Sequence, residues 1–388
     1  MLHHIGQIVE VVAVTGTLAS ITYYLLCMYS AGLFLQERKV ARPTAATPPV
    51  SILKPLKGTD PEMYQSFRSH CLQDYPEYEI IFGVNDPDDP AIALVERLNA
   101  EFPQTPVRLV ICPKNLGANT KVSNLVQMLP QARYDCLVLN DSDIRVEPDY
   151  LRRVAPPLND AKVGIVTCLY RGVASRTVGS RLESLGISTD FCGGVLAARL
   201  LEGIRFGLGS TLAFRRSDLM AIGGFEAVLD HLADDYEIGN RITGLGLEGH
   251  LSDVLVDTFL PPYTAREFLA HQLRWGRTVR DARRWGYLGM VFTFGLPWAL
   301  LVLIAAHGAA LAWGLFGATA VARLAMAWMV GRTVVRDRQV VPSLWLVPLR
   351  DFVALMVWLA SFAGHKVAWR GDSFTLKNGR LIRITPGA

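Results

Sequence analysis

Apolar residues along the chain fall into long runs that predict membrane helices. The first run extends from Val11 to Leu35 without a charged side chain, which is long enough for a helix that crosses a bilayer. A second run, from Tyr287 to Gly331, contains one charged residue, Arg323, and is interrupted near His307. Its length and its interruption predict two helices joined by a tight turn.

A third apolar run, from Val340 to Gly364, contains Arg350 and Asp351 near its middle. The uninterrupted part, which begins at Phe352, is short for a crossing. We therefore predict a re-entrant or interfacial segment, with both charged side chains at a surface and the carboxyl-terminal tail in the cytosol. A full crossing that places the tail outside is the alternative.

The residues around the first run favour a retained anchor over a cleaved signal peptide. No Lys or Arg precedes the run, and Arg38, Lys39 and Arg42 follow it. Two more basic clusters flank the second run, with Arg277, Arg280, Arg283 and Arg284 before it and Arg332, Arg336 and Arg338 after it. Because cytosolic loops carry an excess of positive residues, we predict a multi-pass protein of the cell inner membrane whose large domain is cytosolic.

This pattern predicts five regions. They are an anchor and its basic flank (1–42), a cytosolic domain (43–263), a basic interfacial helix (264–286), membrane helices (287–364) and a basic tail (365–388). The interfacial helix carries Trp275 and Trp285, and tryptophan is enriched at headgroup depth.

Within the cytosolic region, short apolar segments alternate with helical patterns. The predicted strands are Val50–Leu53, Tyr78–Val84, Val107–Cys112, Cys136–Leu139 and Lys162–Cys168, and helices such as Ala91–Glu101 lie between them. Such alternation predicts an α/β fold with a doubly wound, mostly parallel sheet.

Polar residues stand where these strands end. Asp141 and Asp143 follow the apolar strand Cys136–Leu139 directly, and Asp86 follows an earlier strand. Ligands of open α/β sheets bind at the carboxyl ends of the strands. Two carboxylates one residue apart are suited to a divalent cation that carries a diphosphate. An Asx turn that closes the strand is the alternative reading of the pair.

A second acidic stretch and a basic helix lie further along the chain. Asp234 and Asp235 precede a predicted helix, where acids also occur merely because the helix dipole favours them. Gly223, Gly224 and Phe225 form either a loop that approaches a ligand or a helix C-cap with a packing aromatic side chain.

Composition excludes several classes of protein. The formal net charge is only +4, which does not indicate binding to nucleic acid. The basic residues instead cluster where a domain would rest on a bilayer. The six cysteines form no Cys-x-x-Cys pair and are expected to be reduced and mostly buried. Neither a Gly-x-Gly-x-x-Gly nor a Walker motif is present, which argues against dinucleotide and P-loop enzymes.

The ordered set of an aspartate after the second strand, Asp-Ser-Asp after the fourth, Asp-Asp before a helix and Arg-Trp on a basic helix resembles the nucleotide-sugar glycosyltransferases of the GT-A fold. With the anchor, Lys54-Pro-Leu-Lys-Gly58 and Asp141-Ser-Asp-Ile-Arg145, the chain looks most like glycosyltransferase family 21. That family contains ceramide glucosyltransferases and bacterial enzymes that glycosylate hopanoids. The resemblance extends over nearly the whole chain.

The resemblance implies a role for each matching residue. Asp86 would contact the uracil–ribose part of a UDP-sugar, and Asp141 and Asp143 would hold Mg2+ or Mn2+. Asp235 would be the general base. The remaining members would contact the donor or its leaving group: Lys54, Asn119, Lys121, His271, Gln272, Arg274 and Trp275.

One motif departs from the family pattern. Arg274-Trp275 ends a Gln/Arg-x-x-Arg-Trp motif, but His271 stands at its first position. Either His271 replaces the donor contact or Gln272 supplies it. The alternative reading of Arg274 is a contact with lipid headgroups.

The resemblance implies an inverting enzyme that moves one hexose, glucose or N-acetylglucosamine, from a UDP-sugar to a membrane lipid such as ceramide or a hopanoid. A processive polysaccharide synthase is the first alternative, although the chain has few membrane segments for a translocation channel. A non-catalytic membrane scaffold is the second alternative. The scarcity of charge within the spans argues against a transport path.

Overall fold

The computed structural model describes residues 2–40, 46–369 and 371–384, so Arg42, Pro43 and Arg370 lie outside the described residues. The chain forms two compact units. The membrane unit comprises Met1–Lys39, Ala174–Leu200 and Pro262–His365, and the sheet unit comprises Val40–Val173, Leu201–Pro261 and Lys366–Ala388.

The strands lie in the sheet unit. They are β1 (Val50–Leu56), β2 (Tyr78–Val84), β3 (Val107–Ile111), β4 (Cys136–Leu139), β5 (Ile144–Arg145), β6 (Val163–Val173), β7 (Leu212–Arg215), β8 (Glu248–Phe259), β9 (Lys366–Trp369), β10 (Asp372–Lys377) and β11 (Arg380–Arg383).

The α-helices are distributed over both units. They are α1 (Leu2–Val40), α2 (Met63–Cys71), α3 (Ala91–Glu101), α4 (Thr120–Met128), α5 (Tyr150–Val154), α6 (Val178–Leu185), α7 (Cys192–Glu202), α8 (Arg216–Ala221), α9 (Asp234–Gly244), α10 (Ala265–Ala282), α11 (Arg284–Gly289), α12 (Gly295–Ala305), α13 (Ala310–Ala327), α14 (Val340–Ser343) and α15 (Val347–Ser361). Two π-helical segments, Gly186–Phe191 and Trp328–Val334, continue α6 and α13.

The main sheet has eight strands in the order β3-β2-β1-β4-β7-β6-β8-β5. Strands β1 to β4 pair in parallel, and β7 runs antiparallel to both β4 and β6. The predicted α/β fold with a mostly parallel sheet is therefore confirmed. Because β1, β2 and β4 run in one direction, the loops after them meet at one edge of the sheet.

A core of apolar side chains lies between the sheet and the helices that cover one of its faces. Leu137 and Leu139 of β4, Phe214 of β7, Leu125 of α4 and Ile238 of α9 belong to one fully buried cluster. These positions fix α4 and α9 against the strands, so the first residues of both helices lie near the carboxyl end of β4. All six cysteines are free and buried, as predicted.

The membrane unit contains the predicted apolar helices. Three segments, His4–Lys39, Ala310–Val334 and Val340–Ser361, are long and apolar enough to cross a bilayer, and a bent pair, Arg284–Thr293 with Gly295–Ala305, makes an angle of 54°. The predicted turn is present, because His307 and Gly308 adopt positive φ between α12 and α13. The third apolar run forms a helical segment of 22 residues, Val340–Ser361. This segment is longer than the uninterrupted apolar part of the run, which begins at Phe352.

The charged side chains of the last segment are not at a surface, which corrects the sequence prediction. Arg350 and Asp351 are both buried. Asp351 accepts hydrogen bonds from Arg323 Nε at 3.0 Å and Nη2 at 2.8 Å, and Arg323 also bonds to Asp190 at 2.5 Å. Buried charges in membrane helices are tolerated when they pair with one another, and sequence spacing alone could not reveal partners so distant in the chain.

The tail also differs from a simple basic extension, because it folds into a second sheet in the order β11-β10-β9. Val367, Phe374, Leu376 and Leu381 of this sheet pack with Leu232. The amide of Leu381 donates to Asp230 O at 2.6 Å, and the amide of Leu232 donates to Gly379 O at 3.3 Å. The tail therefore holds the loop that leads into α9.

This packing constrains the membrane topology. The tail and the main sheet belong to one unit with a shared apolar cluster, so both are folded in the same aqueous compartment. Any crossings of the bilayer between Pro261 and Lys366 are consequently expected to be even in number. This result favours the predicted arrangement in which the tail stays on the side of the large domain.

Cysteine labelling tests this arrangement. Ser373 of the tail and Asn99 of α3 are exposed, and the native cysteines are buried. We expect Ser373→Cys and Asn99→Cys to react equally with a membrane-impermeant maleimide on intact cells, and equally again after lysis. Labelling of only one of them on intact cells would contradict the shared compartment.

A second prediction concerns the loop before α9. Phe374→Ala removes a fully buried ring, which typically costs about 3–5 kcal/mol, and we expect faster hydrogen exchange of amides 228–233. Ile382→Ala is the matched control, because Ile382 lies in the same small sheet but is half exposed. Mass spectrometry of the exchanged full chain checks both variants. Unchanged exchange in Phe374→Ala would show that the tail does not hold this loop.

Candidate functional site

The Asp-Ser-Asp segment forms a tight loop after β4 in which the two carboxylates face different surroundings. Asp141 is partly exposed and its amide donates to Gly209 O at 3.3 Å. Asp143 is turned inward and accepts a hydrogen bond from Thr258 Oγ1 of β8. Burial, together with the nearby charge of Asp141, raises the pKa of Asp143 to about 6.

Lys54 lies behind this loop and is fully buried. Its Nζ donates to the backbone oxygen of Asp141 at 3.0 Å. Burial lowers the pKa of Lys54 to about 7, although the carboxylates of Asp143 and Asp141 oppose that shift. The described geometry therefore gives Lys54 an internal supporting position, and its direct contact with a donor stays a prediction.

Asn140 holds the loop after β4 through buried hydrogen bonds. Its buried amide donates to Ser210 O at 2.7 Å and to the Tyr150 hydroxyl at 3.0 Å, and its Oδ1 lies 3.3 Å from His70 Nε2. A fully satisfied buried network of this kind rigidifies its surroundings. It fixes the loop after β4 against the loop before β7.

The second acidic stretch begins α9, as predicted. Asp235 Oδ2 accepts the Gly209 amide at 2.7 Å. The approach is close because two glycines face each other, and a Cβ on Gly239 would lie 2.1 Å from the Gly207 nitrogen. Burial and the charge of Asp234 raise the pKa of Asp235 to about 6, against the lowering effect of Lys121.

Lys121 links the two acidic stretches. Its Nζ lies 2.8 Å from Asp141 Oδ1 and 3.0 Å from Asp234 Oδ2. Burial alone would lower the pKa of Lys121, but the surrounding carboxylates raise it, so the side chain stays charged. Asn119 caps α4 through Val122 and donates to His231 O at 2.7 Å. The structure thus brings together Asp141, Asp235, Lys121 and Asn119.

Gly209 lets two carboxylates approach its backbone closely. A Cβ at this position would lie 2.8 Å from Asp141 Oδ2 and 3.2 Å from Asp235 Oδ2. Two carboxylate oxygens therefore converge at the Gly209 backbone, and carboxylate oxygens are ligands of hard divalent cations. Among the described residues no cluster of three His, Cys, Asp or Glu side chains could hold a metal ion alone. The arrangement fits a cation bound by few carboxylates together with phosphate oxygens.

Asp86 lies where the sequence predicted it, beyond the end of β2, and is exposed. Its Oδ1 accepts the amide of Asp88 at 2.9 Å, which forms an Asx turn. Gly223 and Gly224 have φ values of 94° and 70° and end α8. Phe225 is buried against Phe214, so these three residues form the C-cap with a packing aromatic side chain.

The Arg-Trp motif lies on α10 of the membrane unit. This helix starts with a capping box formed by Thr264 and Glu267. Gln272 is buried and donates to Glu183 of α6 at 2.6 Å. The His271 ring stacks on Tyr263 with centroids 5.4 Å apart. Since Arg274 and Trp275 belong to this unit, and Asp141 and Asp235 to the other, their joint action stays a prediction.

Three residues of these sites escaped the sequence analysis: Thr258, Gly209 and Glu183. Thr258 and Glu183 belong to no motif, and each acts on a residue far away in the chain. Gly209 was visible within Phe206-Gly-Leu-Gly209, but a glycine alone does not reveal which side chains approach it.

Known proteins are related to this chain in sequence. A sequence profile of glycosyl transferase family 21 matches residues 12–382. Ceramide glucosyltransferase 1 of Caenorhabditis elegans is 23% identical over 88% of this chain and 75% of its own length. A ceramide glucosyltransferase of Komagataella phaffii is 34% identical over 35% of this chain and 28% of its own length.

The fold is also similar to that of a solved enzyme. A mannosyltransferase of Pyrobaculum calidifontis, in complex with GDP-Man and Mn2+, superposes with a TM-score of 0.55 at 18% identity, over 91% of this chain and 99% of the other. This likeness concerns the GT-A fold, while the family profile extends over the anchor, the main sheet and the membrane helices. The chain therefore belongs to glycosyltransferase family 21, and the reaction it supports is glycosyl transfer.

Proposed function

We propose that this protein transfers one hexose from a UDP-sugar to a hydroxyl group of a membrane lipid, with inversion at the anomeric carbon. The observation that carries the proposal is the convergence of two carboxylates, Asp141 and Asp235, at the backbone of Gly209. The relatives named ceramide glucosyltransferase support a lipid acceptor. The three candidate spans support a site of action at a membrane, and we propose the inner membrane with a cytosolic sheet unit.

Inversion follows from direct displacement. Asp235 takes the proton of the acceptor hydroxyl while that oxygen forms a bond to the anomeric carbon. The bond from this carbon to the diphosphate breaks, and the diphosphate leaves with the electron pair. A carboxylate whose pKa is near 6 is largely ionised at neutral pH and still basic enough to accept a proton in the transition state.

The leaving diphosphate needs compensating positive charge. Mg2+ or Mn2+, when bound at Asp141 with help from Asp143, supplies this charge as a Lewis acid, and the Mn2+ of the structurally similar mannosyltransferase supports this assignment. Lys121 keeps the carboxylates of Asp141 and Asp234 in place. Asp86 is proposed to contact the uridine, and Arg274 and Trp275 to act on the donor.

Transfer itself is the direct test. The full chain in lipid nanodiscs is incubated with UDP-glucose or UDP-N-acetylglucosamine, and with ceramide or a hopanoid polyol as acceptor. Mass spectrometry of the extracted lipid is expected to show one added hexose. UDP release without a glycosylated lipid would overturn the lipid acceptor, and products with several sugars would indicate a processive synthase.

Asp235→Asn tests the general base. The variant keeps shape and hydrogen bonding but cannot accept a proton, and we expect turnover to fall about a hundred- to ten-thousand-fold while the affinity for UDP stays nearly constant. In the wild type, activity is expected to rise with pH through about 6, because the pKa of Asp235 is raised to that value.

Two controls accompany this prediction. Glu237→Gln changes an acid of the same helix that pairs with Arg241, and it is expected to keep nearly full turnover. The pKa of Asp143 is also raised to about 6, so either acid could cause the pH dependence. Because we assign it to Asp235, the residual activity of Asp143→Asn should still rise with pH through about 6. Turnover of Asp235→Asn close to that of the wild type would assign the base to another residue.

Metal binding is predicted to depend chiefly on Asp141. We expect Asp141→Asn to weaken Mn2+ binding in the presence of UDP about tenfold or more, because the ion loses a charged ligand. Titration followed by electron paramagnetic resonance measures this affinity without turnover. Asp143→Asn is expected to weaken binding less, since Thr258 engages the Asp143 carboxylate. The reverse order of the two variants would exchange their roles.

A further inference from the structure

A buried carboxylate in the membrane unit contacts the first two residues of the Arg-Trp motif. Glu183 of α6 is only 1% exposed. Its Oε2 accepts a hydrogen bond from Gln272 Nε2 at 2.6 Å, and its Oε1 lies 3.5 Å from His271 Nδ1. Glu183 therefore contacts both His271 and Gln272, the two residues that the sequence left as alternatives for the donor contact.

We propose that Glu183 is a positioning residue, which holds the Arg-Trp motif so that His271 rather than Gln272 serves the donor. This inference rests on the proposed function, because it assigns the motif to the binding of a nucleoside diphosphate. It adds to that function a residue outside the motif and a choice between two side chains within it.

The two candidate side chains differ in their exposure and in the hydrogen bonds that they already make. Gln272 is 9% exposed and its amide is engaged by Glu183. The His271 side chain is 19% exposed. A glutamine that left Glu183 for a ligand would remove a hydrogen bond from a buried acid, which is costly. Nε2 of His271 can bind a ligand while Gln272 stays hydrogen-bonded to Glu183.

The His271 ring packs against two aromatic rings, and Glu183 lies beside its Nδ1. Tyr263 stacks on it at 5.4 Å with an interplanar angle of 27°, and Trp275 lies 5.5 Å away at 44°. Nδ1 is buried and makes no hydrogen bond, and the nearest carboxylate oxygen is Oε1 of Glu183 at 3.5 Å. A small rotation of the ring would let Nδ1 donate to this oxygen, which would leave Nε2 as the nitrogen for a ligand.

The same contacts extend to the tryptophan of the motif. Trp275 lies between His271 and Phe191, whose ring is 6.2 Å away in an edge-on arrangement. Phe191 belongs to the π-helical segment that continues α6. Glu183 therefore contacts His271 within a series of packed rings, Tyr263, His271, Trp275 and Phe191, and a change in the orientation of His271 would reach Trp275.

A double-mutant cycle tests whether Glu183 acts through His271. Calorimetry measures UDP affinity for the full chain in nanodiscs carrying Glu183→Gln, His271→Gln or both. We expect each single variant to lose about tenfold, the scale of one well-placed hydrogen bond, and the double variant to lose little more than either. Losses that multiply would show that Glu183 acts independently of His271, and would overturn the proposal.

Asp337→Asn is the matched control for loss of a buried acid. Asp337 is also buried in the membrane unit, where it accepts from Ser188 at 2.7 Å. We expect it to lower the melting temperature while UDP affinity per folded protein stays constant. A loss of affinity equal to that in Glu183→Gln would reduce Glu183 to a general stabilising role and overturn the proposal.

Two further measurements keep the test valid if Glu183→Gln does not fold or if UDP does not bind. His271→Ala should lose more UDP affinity than Gln272→Ala, and the reverse order would overturn the choice of His271. Carbethoxylation of His271, followed by mass spectrometry, requires no donor. It should be faster in Gln272→Ala and Glu183→Gln than in the wild type, and unchanged rates would overturn the positioning role even if the protein transferred no sugar.

Discussion

The sheet unit depends on the balance of charge at the carboxyl end of β4. Four aspartates stand in the loop after β4 and in the first turn of α9, and their mutual repulsion would separate these two segments without a cation between them. Lys121 provides that cation by pairing with Asp141 and Asp234, and Lys54 supports the backbone of Asp141 from the interior. The raised pKa of Asp235 is a consequence of the same crowding and burial. The site can therefore contain a base and a cation-binding carboxylate side by side.

Close backbone approach makes this crowding possible. Gly207 and Gly239 allow the loop before β7 to contact the first turns of α9. The Gly209 amide donates a hydrogen bond to Asp235, and the Gly209 carbonyl oxygen accepts one from the amide of Asp141. The buried network around Asn140 fixes one side of this contact. The small sheet of the tail fixes the other, because Leu381 and Gly379 bond to the chain just before α9. Rigid support of this kind holds catalytic groups at a working distance.

Buried charges organise the membrane unit too, but by pairing rather than by crowding. Arg323 is bonded to Asp351 and Asp190, and these three residues belong to three separate helical segments. Glu183 performs a comparable task between α6 and α10 through Gln272. In an apolar surrounding an unpaired charge is costly, so each pair specifies which helices meet and in which register.

The sequence by itself determined the alternation of strands and helices from β1 to β4, the α/β fold, the apolar helices and the family, because these depend on local periodicity and on motifs whose residues are close in the chain. Strands β2 and β4 were predicted with the bounds that the structure has. The tertiary structure alone decided that Lys54 is internal, that Arg350 and Asp351 are buried, and that the basic tail is a sheet. It also revealed Thr258, Gly209 and Glu183. Apart from the local strand pairing of the tail, each of these results depends on a partner many residues away, and the identity of such a partner is set by packing rather than by spacing in the sequence.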